Sequence, residues 1–249
     1  MEVKKARLII DGVCIPTVAY IGITLLISIV YGIINGTDNL NAILIQGIAD
    51  IFVILTLVPL YVKFKKKYNV PTGKFEKKQI LYITAISFSV CIICNIIIPY
   101  LPFEENDVSK EIFELMDEHS IWLSILFVAI FIPIVEEIIF RGFMYDTANI
   151  LFGTIPAIII TSIIFGVVHF NMQQGIYGVI AGFFLAYVRY KYGRVINTII
   201  MHLIMNFCSL TFVGPIQLIK DKREILFIIL ICLTILFSTL YRMNMKNNN

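Results

Sequence analysis

Three short strings in this chain place ionisable side chains where an apolar sequence should exclude them. They are Pro133-Ile134-Val135-Glu136-Glu137-Ile138-Ile139-Phe140-Arg141-Gly142, Phe165-Gly166-Val167-Val168-His169, and His202-Leu203-Ile204-Met205-Asn206. An ionised group at the centre of a bilayer costs about 2.5–3.5 kcal/mol even on the most lenient insertion scale, so it needs a partner or a wet cavity. Side chains four residues apart share one helix face. Glu137 and Arg141 are so spaced, acid before base, which is the favourable order for an ion pair. Glu136 turns about 100° away from Glu137. A buried carboxylate beside an imidazole can serve as a general base, its basicity tuned by desolvation against a neighbouring charge. His202 and Asn206, again four apart, offer two hydrogen-bond donors to a developing oxyanion.

The elements that must carry these residues follow from composition. Of 249 residues, 59% are hydrophobic and 15% charged, and the mean hydropathy is +0.88. Soluble domains run at about 45–50% apolar and about 25% charged. That excludes a cytosolic enzyme, a nucleic-acid-binding module and a disordered chain. The net charge of +3, from 20 Lys and Arg against 17 Asp and Glu, is too small to imply a polyanionic partner. About 20 apolar residues cross a ~30 Å hydrocarbon core as a helix. Eight stretches qualify or come close: Cys14–Ile34, Ala42–Val62, Ile80–Leu101, Ile121–Leu151, Ile155–Phe170, Gly175–Tyr192, Val195–Phe212 and Ile225–Tyr241. The fourth is long for one crossing and the fifth short. The expected fold is all-α, a polytopic membrane protein of about eight transmembrane helices. It reads as a single integral membrane domain over residues 1–249, with a motif-bearing core at about 121–212.

Depth places the motifs together. If the hairpin between spans four and five turns at Gly153 to Pro156, Glu136 is 17 residues up one helix and His169 16 up the next, each about 25 Å from the turn. His202 and Asn206 lie nine and 13 residues beyond Gly193, about 14 and 20 Å along their helix. An active-site cavity between helices four, five and seven is therefore expected. His119, the third histidine, falls in a loop.

Basic residues orient the spans. One side collects 15, from Lys4, Lys5 and Arg7 through Lys63–Lys78 and Arg189–Arg194 to Arg242 and Lys246, against four on the other, Lys110, Lys220, Lys222 and Arg223. Both termini are expected in the cytoplasm and the chain in the cell's plasma membrane. The acidic loop from Glu104 to Glu118 suits an external, interfacial segment. The first span resembles a signal peptide in its basic flank, but it is long, has no small-residue cleavage site and reads as an uncleaved helix. Cys14, Cys91, Cys94, Cys208 and Cys232 all lie in apolar runs and are expected to be buried packing residues. Asp50 and Asn95 read as isolated structural residues, Asp11 as interfacial.

The three strings, in this order, resemble the CPBP family of intramembrane proteases (CAAX protease and bacteriocin-processing, or Abi), whose pattern is EExxxR, FxxxH and HxxxN. The likeness runs from about Pro133 to Asn206. It implies hydrolysis of a peptide bond near a membrane surface, with Glu136 and His169 activating a water. His202 and Asn206 would stabilise the oxyanion, Arg141 would orient the acidic pair, and Glu137 would support it. The family has been read both as metalloprotease and as metal-free glutamate peptidase. No cofactor is the favoured expectation, because Asn206 is a poor zinc ligand; a zinc version would use Glu136, His169 and His202. Family members include eukaryotic enzymes that cut prenylated carboxyl-terminal tripeptides, and bacterial relatives are associated with processing of, or immunity to, bacteriocins and peptide pheromones. The Lys-, Asn- and Ile-rich usage suits a low-GC bacterium or archaeon, so the expected partners are the bilayer and a membrane-associated peptide or protein, and no nucleic acid. The rivals are a non-catalytic immunity or peptide-binding protein and an ion or proton carrier.

Overall fold

The structure, a computed structural model, describes residues 2–35, 42–101, 125–217, 219 and 221–245. The acidic loop, His119, Lys110, Lys220 and the start of the fourth expected span lie outside them. Every regular element among the described residues is helical, and the chain is an all-α polytopic membrane protein. Among the described residues, four helices are long and apolar enough to cross a membrane, Glu2–Ile34, Leu44–Tyr68, Lys77–Tyr100 and Lys222–Asn244, and Thr154–Val167 and Val195–Thr211 are shorter apolar helices.

The chain folds as two compact units. The first takes in the described parts of Met1–Thr72 and Asn106–Ala157. It begins with α1 (Glu2–Ile9), continues without a break through a π-helical turn (Ile10–Cys14), and runs on as α2 (Ile15–Asn35). The wide turn has a local cause. Pro16 has no N–H to give Gly12, and the Ile15 N–H reaches back five residues to the Ile10 carbonyl. α3 (Ala42–Tyr68) buries Ile45, Ala49, Val53, Leu57 and Phe64, one stripe at four- and seven-residue spacing. That stripe packs on α2 and on the motif-bearing helix. The latter is one continuous helix of alternating pitch: π-helical Ile125–Phe131, α5 (Ile132–Glu137), π-helical Ile138–Met144 and α6 (Tyr145–Phe152). Pro133 explains the first wide segment as Pro16 does for α1. It widens the winding without breaking the helix. Behind the motif, Tyr61 and Phe64 of α3 stack edge-on against Phe143 at 5.2 and 5.3 Å, and the Tyr61 hydroxyl donates to Asp146 Oδ2 at 2.6 Å.

The second unit takes in the described parts of Gly73–Glu105 and Ile158–Asn249. It holds α4 (Lys77–Ile97), most of α7 (Thr154–Val167), then α8 (Met172–Tyr192), α9 (Val195–Gln217) and α10 (Lys222–Met245). α4 is its centre, packed on α8, α9 and α10. Ile83, Ile86 and Val90 of α4, Leu185 and Ala186 of α8, and Met201 and Met205 of α9 are fully buried. Polar side chains here are tied to backbone. Ser87 Oγ donates to the Ile83 carbonyl at 2.8 Å and lies 3.3 Å from that of Met201, and Asn95 Nδ2 donates to the Cys91 carbonyl at 2.8 Å. Asn95 is thus structural, as expected. All five cysteines are free thiols, and four are buried, but Cys14 is exposed. The expectation that every cysteine packs inside fails there, because α1 and α2 turn one face outward, with Val18, Leu25, Leu26 and Ile29 all exposed.

One contact sets α1 against the motif helix. A Cβ on Gly12 would stand 1.8 Å from Thr147 Oγ1 and 3.0 Å from the Phe64 ring, so only glycine lets the two helices touch there. Gly12→Ala should lower stability by about 1–3 kcal/mol through overpacking. Among the described residues Thr147 Oγ1 is buried without a hydrogen-bond partner, so Thr147→Ala alone should cost little, and the double variant should recover most of the loss. Thermal midpoints of the four proteins in detergent check this.

Candidate active site

The sequence-expected residues fall into two groups, each inside one unit. Glu136, Glu137 and Arg141 belong to the first, and His169, His202 and Asn206 to the second.

In the first group, Glu137 closes α5 and Arg141 sits in the π-helical segment that follows. Arg141 Nη1 donates to Glu137 Oε1 at 3.1 Å, and both side chains are 0% exposed. The expected pair is present. Glu136, one residue back, is only half-buried, as its 100° rotation away from Glu137 requires. Its surroundings contain a residue whose role sequence reasoning misjudged. Asp50 on α3 is 1% exposed, accepts at Oδ1 from Gln46 Nε2 at 2.8 Å, and interacts electrostatically with Glu136. Tyr20 of α2 is within electrostatic reach of Asp50 and Glu136. Asp50 is therefore not isolated. The available signal was the Gln46–Asp50 spacing of four within an apolar run, a polar pair on one face.

The second group departs from expectation in one respect. His169 was expected within the fifth span, Ile155–Phe170, but α7 stops at Val167. The chain closes in a tight turn in which the His169 N–H donates to the Gly166 carbonyl at 3.2 Å and the Phe170 N–H to that of Val167 at 3.2 Å. Phe170 then takes φ 51°, and Asn171 starts α8, its Oδ1 accepting from the Gln174 N–H at 3.0 Å. The hydrophobic run continues past the helix because apolar residues also line the turn. Gly166 permits the turn's close packing. A Cβ there would lie 2.5 Å from the Gly175 carbonyl oxygen and 2.4 Å from Val179.

This geometry fixes the imidazole. His169 Nδ1 lies 2.7 Å from the Phe165 carbonyl oxygen. A carbonyl only accepts, so Nδ1 carries the hydrogen, and the neutral ring keeps its lone pair on Nε2. Phe165 itself is buried, with its ring edge-on to His169 at 5.1 Å and to His202 at 5.8 Å. The two motif histidines thus flank one aromatic spacer. His202 is 8% exposed, and Asn206 follows one turn later on the same face of α9. Among the described residues, no three His, Cys, Asp or Glu side chains are grouped so as to hold a metal ion.

The comparisons agree with the motifs. Residues 118–208 match the family model of the type II CAAX prenyl endopeptidase Rce1-like proteins. A curated protein of Bacillus subtilis (strain 168), Putative membrane peptidase YdiL, is 37% identical to it over 90 residues, which is 34% of each protein. The chain thus matches about a third of that relative's length. No solved structure matches this chain. All three motifs lie within the matched segment.

Breaking the buried ion pair from one side should be costly. Arg141→Met leaves a carboxylate buried opposite an apolar side chain and should destabilise by about 3–5 kcal/mol. Glu137→Leu/Arg141→Met together should recover much of that loss. A double-mutant cycle on detergent-solubilised protein measures both.

Proposed function

We propose that this chain is a CAAX-protease-like intramembrane endopeptidase that hydrolyses a peptide bond of a membrane-associated peptide or protein. The observation that carries the reading is the His169 ring, held by the Phe165 carbonyl with its Nε2 lone pair available. The order of the motifs and the matched segment support joining the two residue groups in one reaction. Glu136 and His169 take a proton from water as its oxygen attacks the scissile carbonyl carbon. His202 and Asn206 donate hydrogen bonds to the resulting oxyanion. The proton passes to the amide nitrogen, the C–N bond breaks, and a carboxylate and an amine leave. The Glu137–Arg141 pair holds the helix that presents Glu136, and Asp50 and Gln46 belong to that carboxylate's surroundings.

In this reading Glu136 and His169 activate the water without a metal, since Asn206 suits an oxyanion better than zinc. The bias of 15 basic residues against four supports both termini in the cytoplasm. A non-catalytic immunity or peptide-binding protein has no use for an oxyanion pair, and neither does an ion carrier.

Glu136→Gln and His169→Gln should each lower cleavage about 10²–10⁴-fold, and Asn206→Ala about 10²–10³-fold, without loss of expression or thermal midpoint. Comparative peptidomics of membranes carrying the wild-type or the Glu136→Gln chain reads the effect and reveals the cleaved bond. Identical peptides from both would favour the binding protein, and ion-dependent flux in proteoliposomes the carrier. The chelator 1,10-phenanthroline should leave cleavage unchanged. Inhibition that added zinc reverses would establish the metal-dependent version instead.

A further inference from the structure

A second feature lies in the first unit, away from the motif residues. Where α1, the end of α3 and the end of α6 meet, a cavity of about 530 Å³ opens, within the usual size of a small-ligand site. Four cations line it, Lys4, Lys5, Arg7 and Lys67. The remaining wall is made by Leu8, Tyr68 and the Ile150–Leu151 end of α6.

The charges are not balanced internally. Asp11 is engaged by Arg7 Nε at 3.0 Å, by Lys67 Nζ, and by the Tyr68 hydroxyl at 2.8 Å. Four positive charges against this one carboxylate leave a local charge of +3. Lys4 and Lys5 are exposed, and neither makes an ion pair among the described residues. The cavity's frame is built by the fold. The π-helical turn places Asp11 between Arg7 and Lys67, and Gly12, in contact with Thr147, seats α1 on α6. The lysine-rich last turn of α3, Lys65 to Lys67, ends an apolar helix of membrane-crossing length, so the cavity stands at the level of lipid headgroups.

We propose that this cavity binds a phosphate group, the chemistry shared by an anionic phospholipid headgroup and a soluble phosphate. The cations meet the phosphate oxygens, and the Leu8 and Tyr68 wall accepts the carbon skeleton attached to it. The site is independent of peptide hydrolysis, so its test needs no substrate.

The experiment titrates the full chain in detergent with dihexanoyl phosphatidylglycerol, dihexanoyl phosphatidylcholine or inorganic phosphate, reading the thermal midpoint. Lys4→Gln/Lys5→Gln removes two lining cations that hold no structural contact. Lys63→Gln/Lys66→Gln removes two exposed cations of α3 outside the cavity and serves as the control. Saturable stabilisation by phosphatidylglycerol, weakened roughly 30-fold in the first variant and retained in the control, is expected for a headgroup site. The same pattern with inorganic phosphate assigns the soluble source. No stabilisation by either anion, equal stabilisation by phosphatidylcholine, or equal weakening in both variants overturns the proposal.

Discussion

Hydrocarbon offers no partner to a charge, and the site depends on how this chain meets that constraint. Glu137 and Arg141 are sealed from every surface, and each neutralises the other across one helical turn. A buried pair of this kind contributes little net stability compared with an apolar pair of equal volume. Its consequence is rotational. With Glu137 committed to Arg141 inside the unit, Glu136 emerges about 100° away, where Asp50 and Tyr20 feel its charge. The neighbouring Pro133 and the π-helical turns on either side of α5 are compatible with this, since a wider winding redistributes backbone bonds without ending the helix.

The second unit meets the same constraint with neutral groups. Ser87, Asn95 and Ser162 return their donors to carbonyls four residues back, and His169 does so through Nδ1. What is a satisfied hydrogen bond for the serines becomes a tautomer assignment for the imidazole, because with Nδ1–H on a carbonyl the neutral ring has its lone pair on Nε2. The same Phe165 supplies the carbonyl for one histidine and a ring edge for both.

Much of this was legible in the sequence. Apolar length marked the helices, and four-residue spacing identified the Glu137–Arg141 pair and the His202–Asn206 face. Both signals are local. The end of α7 was not legible, since Val168, His169 and Phe170 extend the apolar run while a carbonyl contact and a positive φ at Phe170 end the helix. Nor was the placement of Asp50, 86 residues from Glu136, because such pairing depends on how α3 packs. Two of the π-helical segments, Ile10–Cys14 and Ile125–Phe131, likewise precede prolines whose effect on pitch a hydropathy reading does not register. Cys14 shows the converse limit: an apolar neighbourhood in sequence does not distinguish the inside of a bundle from its outer face.

The brevity of α7 has a mechanical consequence. Fourteen residues rise about 21 Å, some 9 Å short of a ~30 Å hydrocarbon slab. Such a mismatch is relieved by a dimple in the bilayer, at a fraction of a kcal/mol per ångström. The loop bearing His169 then lies nearer the aqueous phase without any lengthening of the helix.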